Sequence, residues 1–522
     1  MNRKKLLTLF VLFASPFSII AQNEQQPRVI SIKINAGVKH QVIEGFGASD
    51  AWRCQFVGEN YPSEKKEKIA DWLFSQDFDK SGNPKGIGLS IWRTELGAGS
   101  TEQGDSSGIK NVWRRGESYL NADGSYNWER NKGQRWFLHA ARKRGVEQFV
   151  AFSNSPPIYY TLNGKSFADK GVSSYNLKTE NYAKVATYLA DIVQHYEREG
   201  IKINYVSPVN EPQWAWDNGN QEGSPAQNED IYKVTKAISD EFSSRKIDTE
   251  LIVGEAGELN YLIGKVKPNS SDNQIKTFWS PSSPYYLGNL PKVKKVISGH
   301  SYFTTWPIKK QIETRQELKS KLLEIDPKLT FWMSEFCILE KNEETGQGNG
   351  RDLGMATALY YARVIHNDLT IANAASWQYW TAVSNHDYKD GLVYVDLGNN
   401  GINGIDHPDA LPLMQDGFVK TSKSLWALGN YSRFIRPGFH RINCHGSTPE
   451  IMVSAYKNPA SNEVIIVLVN TSEENVELRL NDPNFKVTQR YLTDNLNELS
   501  VQKNLNLVSP KQSIVTFVGS HK

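Results

Sequence analysis

Apolar positions along the chain recur in two rhythms. Between about 42 and 430, short and nearly continuous apolar runs alternate with longer stretches in which apolar residues return every three or four positions. The runs are VIEGFGASDAW, GIGLSIWRTELG, EQFVAFSNSPP, INYVSPVNEPQW, ELIVGEAGE, KVISGHSYF, LTFWMSEF and NAASWQYWTA, eight in all. Helical patterns lie between them, such as those at 63–75, 131–144, 179–198, 228–245, 309–325 and 352–367. Strands apolar on both faces, each followed by a helix, suit a parallel sheet covered on every side. Eight such units predict an α/β fold, a (β/α)8 TIM barrel over 42–430. A doubly wound sheet is the alternative, but neither GxGxxG nor a phosphate-binding GxxxxGKS/T stretch supports it.

From Phe434 onward the rhythm shortens. IMVSAYK, EVIIVLVN, VELRL, KVTQRYL and SIVTFVG are short strand-like runs separated by turn-forming clusters such as NPASN and NDPN. They predict an all-β sandwich over 431–522. RVISIKINAG at 28–37 is also β-like, so the segment 22–41 is expected to complete that sandwich from the other end of the chain. Connections at 98–130, 259–293 and 383–418 are long and rich in Gly, Ser, Asn and Pro. They follow strands, which in a barrel places them over the face that carries function.

The first residues, MNRKKLLTLFVLFASPFSIIAQ, change the charge picture. Arg3, Lys4 and Lys5 precede an apolar run that ends at Ala21, the layout of a secretory signal peptide over 1–21. A membrane anchor is the rival, but Ser15, Pro16 and Ser18 interrupt the run. Without that segment 57 basic residues face 57 acidic ones, so the mature chain is formally neutral. No Lys/Arg run remains to bind nucleic acid or an anionic membrane, and no later stretch is apolar enough for a span. An exported, periplasmic or extracellular monomer with a neutral ligand is expected. Cys54, Cys337 and Cys444 are too few and too scattered for a disulfide framework. Fourteen Trp and 23 Tyr either fill a large core or supply flat stacking platforms, Trp52, Trp214, Trp216 and Trp306 being candidates because they follow strands.

In a parallel barrel the polar residues that close strands converge on one mouth. Here they are Asp50, Arg93, Asn154, Asn210 with Glu211, Glu255 and Glu258, His300 with Tyr302, Glu335, and Trp377 with Trp380. Glu211 and Glu335 are isolated carboxylates closing the fourth and seventh runs. Glycoside hydrolysis needs such a pair, one acid protonated to release the leaving oxygen and one ionised to attack the sugar carbon. Asn-Glu-Pro alone is a weak signal, since Glu before Pro commonly starts a turn. Glu255 either lines a groove or caps the next segment, and capping is favoured for Glu258. His300 lacks any HExxH or clustered His/Cys spacing, which argues against metal catalysis, and GHSYF is not the GxSxG of a serine hydrolase. No cofactor or metal is expected.

With these residues in place the chain resembles the retaining (β/α)8-barrel glycosidases, specifically glycoside hydrolase family 30. The resemblance covers most of the mature chain. It implies Glu211, after Asn210, as acid/base and Glu335 as nucleophile. It implies that Asp50, in GFGASD, holds sugar hydroxyls, that Arg93 lies near the nucleophile, and that Tyr302 stands beside it with His300 as its strand-six companion. It places Trp380, in SWQYW, under the sugar, with Asn154 and Trp377 as further substrate-binding residues. Where the family often runs Ser-Pro-Pro then Trp-Met, this chain has SPPIYY with Ile158, Tyr159 and Tyr160. GFGASDAW and RTELG look most like the endo-β-1,6-galactanase branch; glucuronoxylan xylanases, β-1,6-glucanases and glucosylceramidases are alternatives within the family. From another class, a carbohydrate-binding protein without turnover is the competitor, but a binder has no need of both carboxylates.

Overall fold

The computed structural model describes residues 27–268, 270–398, 408–481 and 485–521. The leader expected at 1–21 lies outside them. Among the described residues, eight parallel strands close a barrel: Gly45–Ser49, Ile91–Glu95, Gln148–Phe152, Tyr205–Ser207, Glu250–Ala256, Val293–His300, Thr330–Glu335 and Ser376–Tyr379. They pair in chain order, and the eighth pairs back on the first, Gly45 against Ser376 through Ala48 against Tyr379. The second strand is buried at every position, as a strand with side chains inside the barrel and helices outside must be.

The barrel interior has an apolar floor. Ile91, Val150, Ile252, Val296, Trp332 and Ala375 form a buried cluster joined by Tyr205, one residue from each of seven successive strands or strand entries. The helices outside are amphipathic where they meet solvent. Tyr182–Arg198 buries Val185, Ala186, Tyr188, Leu189, Ile192, Val193 and Tyr196, the i, i+3, i+4 stripe of a helix lying on a sheet. Helix Arg53–Asn60 crosses Lys132–Lys143 at Gly58 and Gly133, where a Cβ on either glycine would run into the other helix's backbone.

The C-terminal unit is a β-rich domain. Strand Arg28–Val42 belongs to it and changes partner along its length. Arg28–Ile32 pairs in parallel with Val476–Leu480, while Lys33–Val42 pairs antiparallel with His440–His445. Strand Glu463–Asn470 explains how this domain meets the barrel. Val464, Ile466 and Leu468 point into the domain's own core, whereas Ile465, Val467 and Val469 join the barrel's core. Period-2 alternation thus divides one strand between two cores. Each of the three barrel-facing side chains contributes about 1.5–3 kcal/mol by leaving water. Helix Met355–Thr370 is buried on nearly every side because it lies between the two units. The 383–418 connection carries a small sheet of its own, Val383–Ser384, Val393–Asp396 and Phe418–Thr421.

Candidate active site

Strand alternation carries charge from the floor to the mouth. Ile91 lies in the floor; Arg93 and Glu95, two and four residues on, share its inward face. Val296, Ser298 and His300 climb strand six in the same way. Two acids reach the interior by breaking the alternation. On strand seven Trp332 is in the floor, so a regular strand would send Ser334 inward and Glu335 outward. The pairing with strand six slips by one residue between Met333 and Glu335, and Glu335 turns in. On strand five Glu255 adopts a left-handed φ of 43° beside Gly254, where the pairing is again irregular. Strand four ends at Ser207, and Glu211 stands four residues beyond with a φ of 45°. Its backbone N–H donates to the Glu255 carbonyl at 2.9 Å, and its own carbonyl accepts the Trp216 indole N–H at 3.0 Å. A left-handed non-glycine residue costs on the order of 1 kcal/mol, which these contacts sustain.

The result is one buried ionic cluster. Arg93 Nη1 donates to Glu335 Oε2 at 2.6 Å, and its Nη2 to Glu255 Oε2 at 2.9 Å and Asn210 Oδ1 at 3.1 Å. His300 faces Glu211 Oε1 through Nδ1 at 2.8 Å and Glu255 Oε2 through Nε2 at 3.2 Å. The Tyr302 hydroxyl donates to Glu335 Oε1 at 2.9 Å. Three carboxyl groups therefore share two cations. Burial alone depresses the His300 imidazole, but Glu335, Glu211 and Glu255 together lift it to about 10. Burial pushes Glu255 up, yet Arg93 and His300 bring it down to about 2. Glu211 is left over. Burial raises its pKa, His300 only partly offsets that, and the Glu335 charge raises it further.

One oxygen of Glu211 and one of Glu335 lie within 4.8 Å of each other and of a His300 nitrogen. That spacing matches acid pairs that act by direct displacement, ~5–5.5 Å apart, and leaves no room for the intervening water of pairs ~6.5–9.5 Å apart. Among the described residues, the same three are the set that could ligate a cation. An imidazole held protonated between two carboxylates has no lone pair to offer one, so the geometry serves proton chemistry better.

The pair opens into a cleft of about 550 Å³. Tyr302, Trp380, Trp52, Trp214 and Trp216 line it, with Trp52 set edge-on to Trp380 at 5.3 Å. Trp306 instead packs against the barrel core. Asp50, His300 and Trp377 have no exposed surface, which corrects the expectation that they contact substrate. Asp50 accepts from the Glu95 backbone N–H at 2.8 Å and from Gln134 at 3.1 Å, bracing strand two. Trp377 donates to Asp368 at 2.9 Å beneath the site. Arg93 is likewise buried and reaches the cleft through Glu335. Asn154 bridges Glu95 Oε1 at 2.7 Å and the Asn210 amide at 3.0 Å, so both asparagines are held in one network. Ile158, at the departure from the family's strand-three ending, is buried, and Tyr159 is exposed.

Of the two strand-five acids, Glu255 is the hub joining Arg93 to His300, whereas Glu258 precedes a short helix and its carboxylate accepts from Asn260 at 3.3 Å. Other residues were not singled out from the sequence. Glu95 is buried and held well above the carboxylate range by burial and by the Glu222 and Asp50 charges. Its phase with Arg93 in RTELG was the available signal. Arg114 and Asp390 line the cleft from connections whose course local pattern does not specify, and Arg53 lines it from the first turn of helix Arg53–Asn60.

Comparison with known proteins bears on the fold and the family. A 34% identical protein of known structure, a conserved exported protein from Bacteroides fragilis, superposes with a TM-score of 0.88 over 94% of this chain and 100% of that one. An endo-β-1,6-galactanase from Hypocrea rufa is 25% identical over 444 residues, 82% of this chain and 78% of that protein. A glucuronoxylanase from Bacillus subtilis (strain 168) is 23% identical over 399 residues, 73% and 75% of the two chains. Residues 438–517 match the glycosyl hydrolase family 30 beta sandwich domain. Residues 29–394 match O-glycosyl hydrolase family 30, and the chain belongs to that family of glycoside hydrolases.

Proposed function

We propose that this glycoside hydrolase is an exported, monomeric endo-β-1,6-galactanase that retains anomeric configuration, with Glu211 as acid/base and Glu335 as nucleophile. The carboxylate spacing within 4.8 Å, with unlike partners on the two acids, carries the reading. Protonated Glu211 gives its proton to the glycosidic oxygen as the bond to the anomeric carbon breaks. The Glu335 carboxylate attacks that carbon from the other side and forms a glycosyl ester. Glu211, now ionised, takes a proton from water. The resulting hydroxide displaces Glu335, which restores both acids and leaves the original configuration. Arg93 and the Tyr302 hydroxyl hold the Glu335 carboxylate in place, and Asn210 is set to meet the sugar hydroxyl beside the reacting carbon. Trp380 and Trp52 supply faces for the sugar to stack on.

The galactan assignment is supported by the Hypocrea rufa relative and by the GFGASDAW and RTELG stretches. Export is supported by the leader-like Arg3-to-Ala21 stretch. The deciding experiment measures reducing-end release on β-1,6-galactan, glucuronoxylan and β-1,6-glucan, with the first product's anomer read by NMR. Release of β-anomeric galacto-oligosaccharides is expected. Activity on glucuronoxylan alone, or α-anomeric first products, would overturn the substrate or the mechanism respectively.

A further inference from the structure

A second cavity of about 480 Å³ lies between the barrel and the C-terminal domain and shares no lining residue with the active cleft. Helices Ile308–Ile325 and Met355–Thr370 form one side, and strands Arg28–Val42, His440–His445 and Ile451–Lys457 contribute to the other. Its charged lining is of one sign. His40, Lys319, Arg363, His366, Arg441 and His445 face it, and among the described residues no Asp or Glu does.

Not all of these groups are available. Arg363 is clamped by Glu344 through two bonds of 2.8 and 2.7 Å. Arg441 is different. It is 6% exposed, and its Nε and Nη2 donate only to the neutral amides of Gln41 at 3.0 Å and Asn373 at 2.8 Å. Nη1 has no hydrogen-bond partner, and no carboxylate pairs with the guanidinium, among the described residues. Lys319 also lacks an ion pair among the described residues; burial and the Arg441 charge hold its ammonium below the ordinary lysine range. His366 is 6% exposed, and its Nδ1 is buried without a partner. Burial and Arg441 press its imidazole down to about 3, so it is a neutral group with one N–H to donate. Two neighbouring cations, Arg441 buried and Lys319 half-buried, are costly to hold without a counter-charge unless an anion joins them.

We propose that this cavity binds the carboxylate of a small sugar acid, gripped by Arg441 and Lys319 with His366 as a neutral donor. The volume fits a small molecule better than a bare ion, and Ile308, Ile312 and Met452 offer apolar walls to a sugar ring. A free inorganic oxyanion would present the same chemistry to the two cations. The site is independent of the glycosidase reading.

The test uses the full chain, thermal unfolding and calorimetry with sodium glucuronate, sodium sulfate, and sodium chloride at matched ionic strength. Glucuronate is expected to raise Tm saturably, and chloride is not. Lys319→Gln and Arg441→Gln should each weaken glucuronate binding about ten-fold or more, the loss of one charged hydrogen bond. Without added anion, Lys319→Gln should raise Tm, because Lys319 and Arg441 then no longer repel; a lysine with a purely structural role would lower it. Hydrolysis by Lys319→Gln of whichever polysaccharide the wild type cleaves should stay at the wild-type rate. Should Arg441→Gln fail to fold, Lys319→Gln still decides, since its side chain is only half-buried. Absence of a saturable response, or undiminished affinity in Lys319→Gln, overturns the site. Saturable binding of sulfate without glucuronate overturns the sugar-acid assignment.

Discussion

Strand Glu463–Asn470 of the C-terminal domain and strand Val293–His300 of the barrel are both eight residues long, and both finish out of water. The first buries six successive apolar side chains and ends on Asn470, whose amide donates to two backbone carbonyls at 2.9 and 2.8 Å. The second ends on an imidazole held between carboxylates. One strand is closed by neutral hydrogen bonds and pure packing. The other is closed by ions whose burial is tolerable only because each has partners from other strands. The C-terminal domain thus contributes apolar burial, while the mouth of the barrel gives up easy packing for an electrostatic arrangement aimed at chemistry.

That division can be broken by substitution. Glu335→Gln should lower kcat/KM on polysaccharide by about 10⁴-fold or more, because a neutral amide neither attacks nor pairs with Arg93 as a carboxylate does. Stopped assays on purified protein check this, and near-normal turnover would remove Glu335 from the reaction. Glu211→Ala should cost about 10²–10⁴-fold on polysaccharide but far less on a dinitrophenyl galactoside, whose leaving group needs no proton. Equal losses on both substrates would mean Glu211 is not the acid. Phe517→Ala, in the C-terminal core, should do the converse. It should remove about 3–5 kcal/mol of stability in denaturant titration and leave kcat of the folded enzyme unchanged.

A subtler change sharpens the comparison. His300 lowers the pKa of Glu211, so His300→Gln should raise it and move the alkaline limb of the kcat/KM profile to higher pH. The same residue links stability to pH. Its folded pKa is raised, to about 10 from 6.5, so its contribution is complete below 6.5 and is lost as pH climbs through about 10. Wild-type Tm should decline across that window, and the decline should flatten in His300→Gln. An unmoved alkaline limb would show that His300 does not set the acid's proton affinity.

Much of the barrel was legible locally. Eight apolar runs became eight barrel strands, and helices predicted at 63–75, 131–144 and 228–245 appear as Ser63–Phe74, Lys132–Lys143 and Asn228–Ser244. Whether a position faces apolar surroundings is written in its neighbours two, three or four residues away. The two acids were legible because each stands where an apolar run stops. Trp377 and Trp380 show the limit: three residues apart, one is locked beneath the site by Asp368 and the other lines the cleft. Asp50, too, looks like a ligand-facing group until strand two and Gln134 enclose it.

By itself, then, the sequence determined the alternation of strands and helices, the change to an all-β end, and two acids at strand ends. Only the tertiary structure decided which way Glu335 and Glu255 point, since a one-residue slip and a left-handed turn override simple alternation. It alone decided how charge is shared, because Arg93 and Glu335 are separated by 242 positions and Glu211 and His300 by 89. Proton affinity inside a barrel depends on which distant groups closure brings within 3 Å or so, and no local pattern of apolar and polar residues records that.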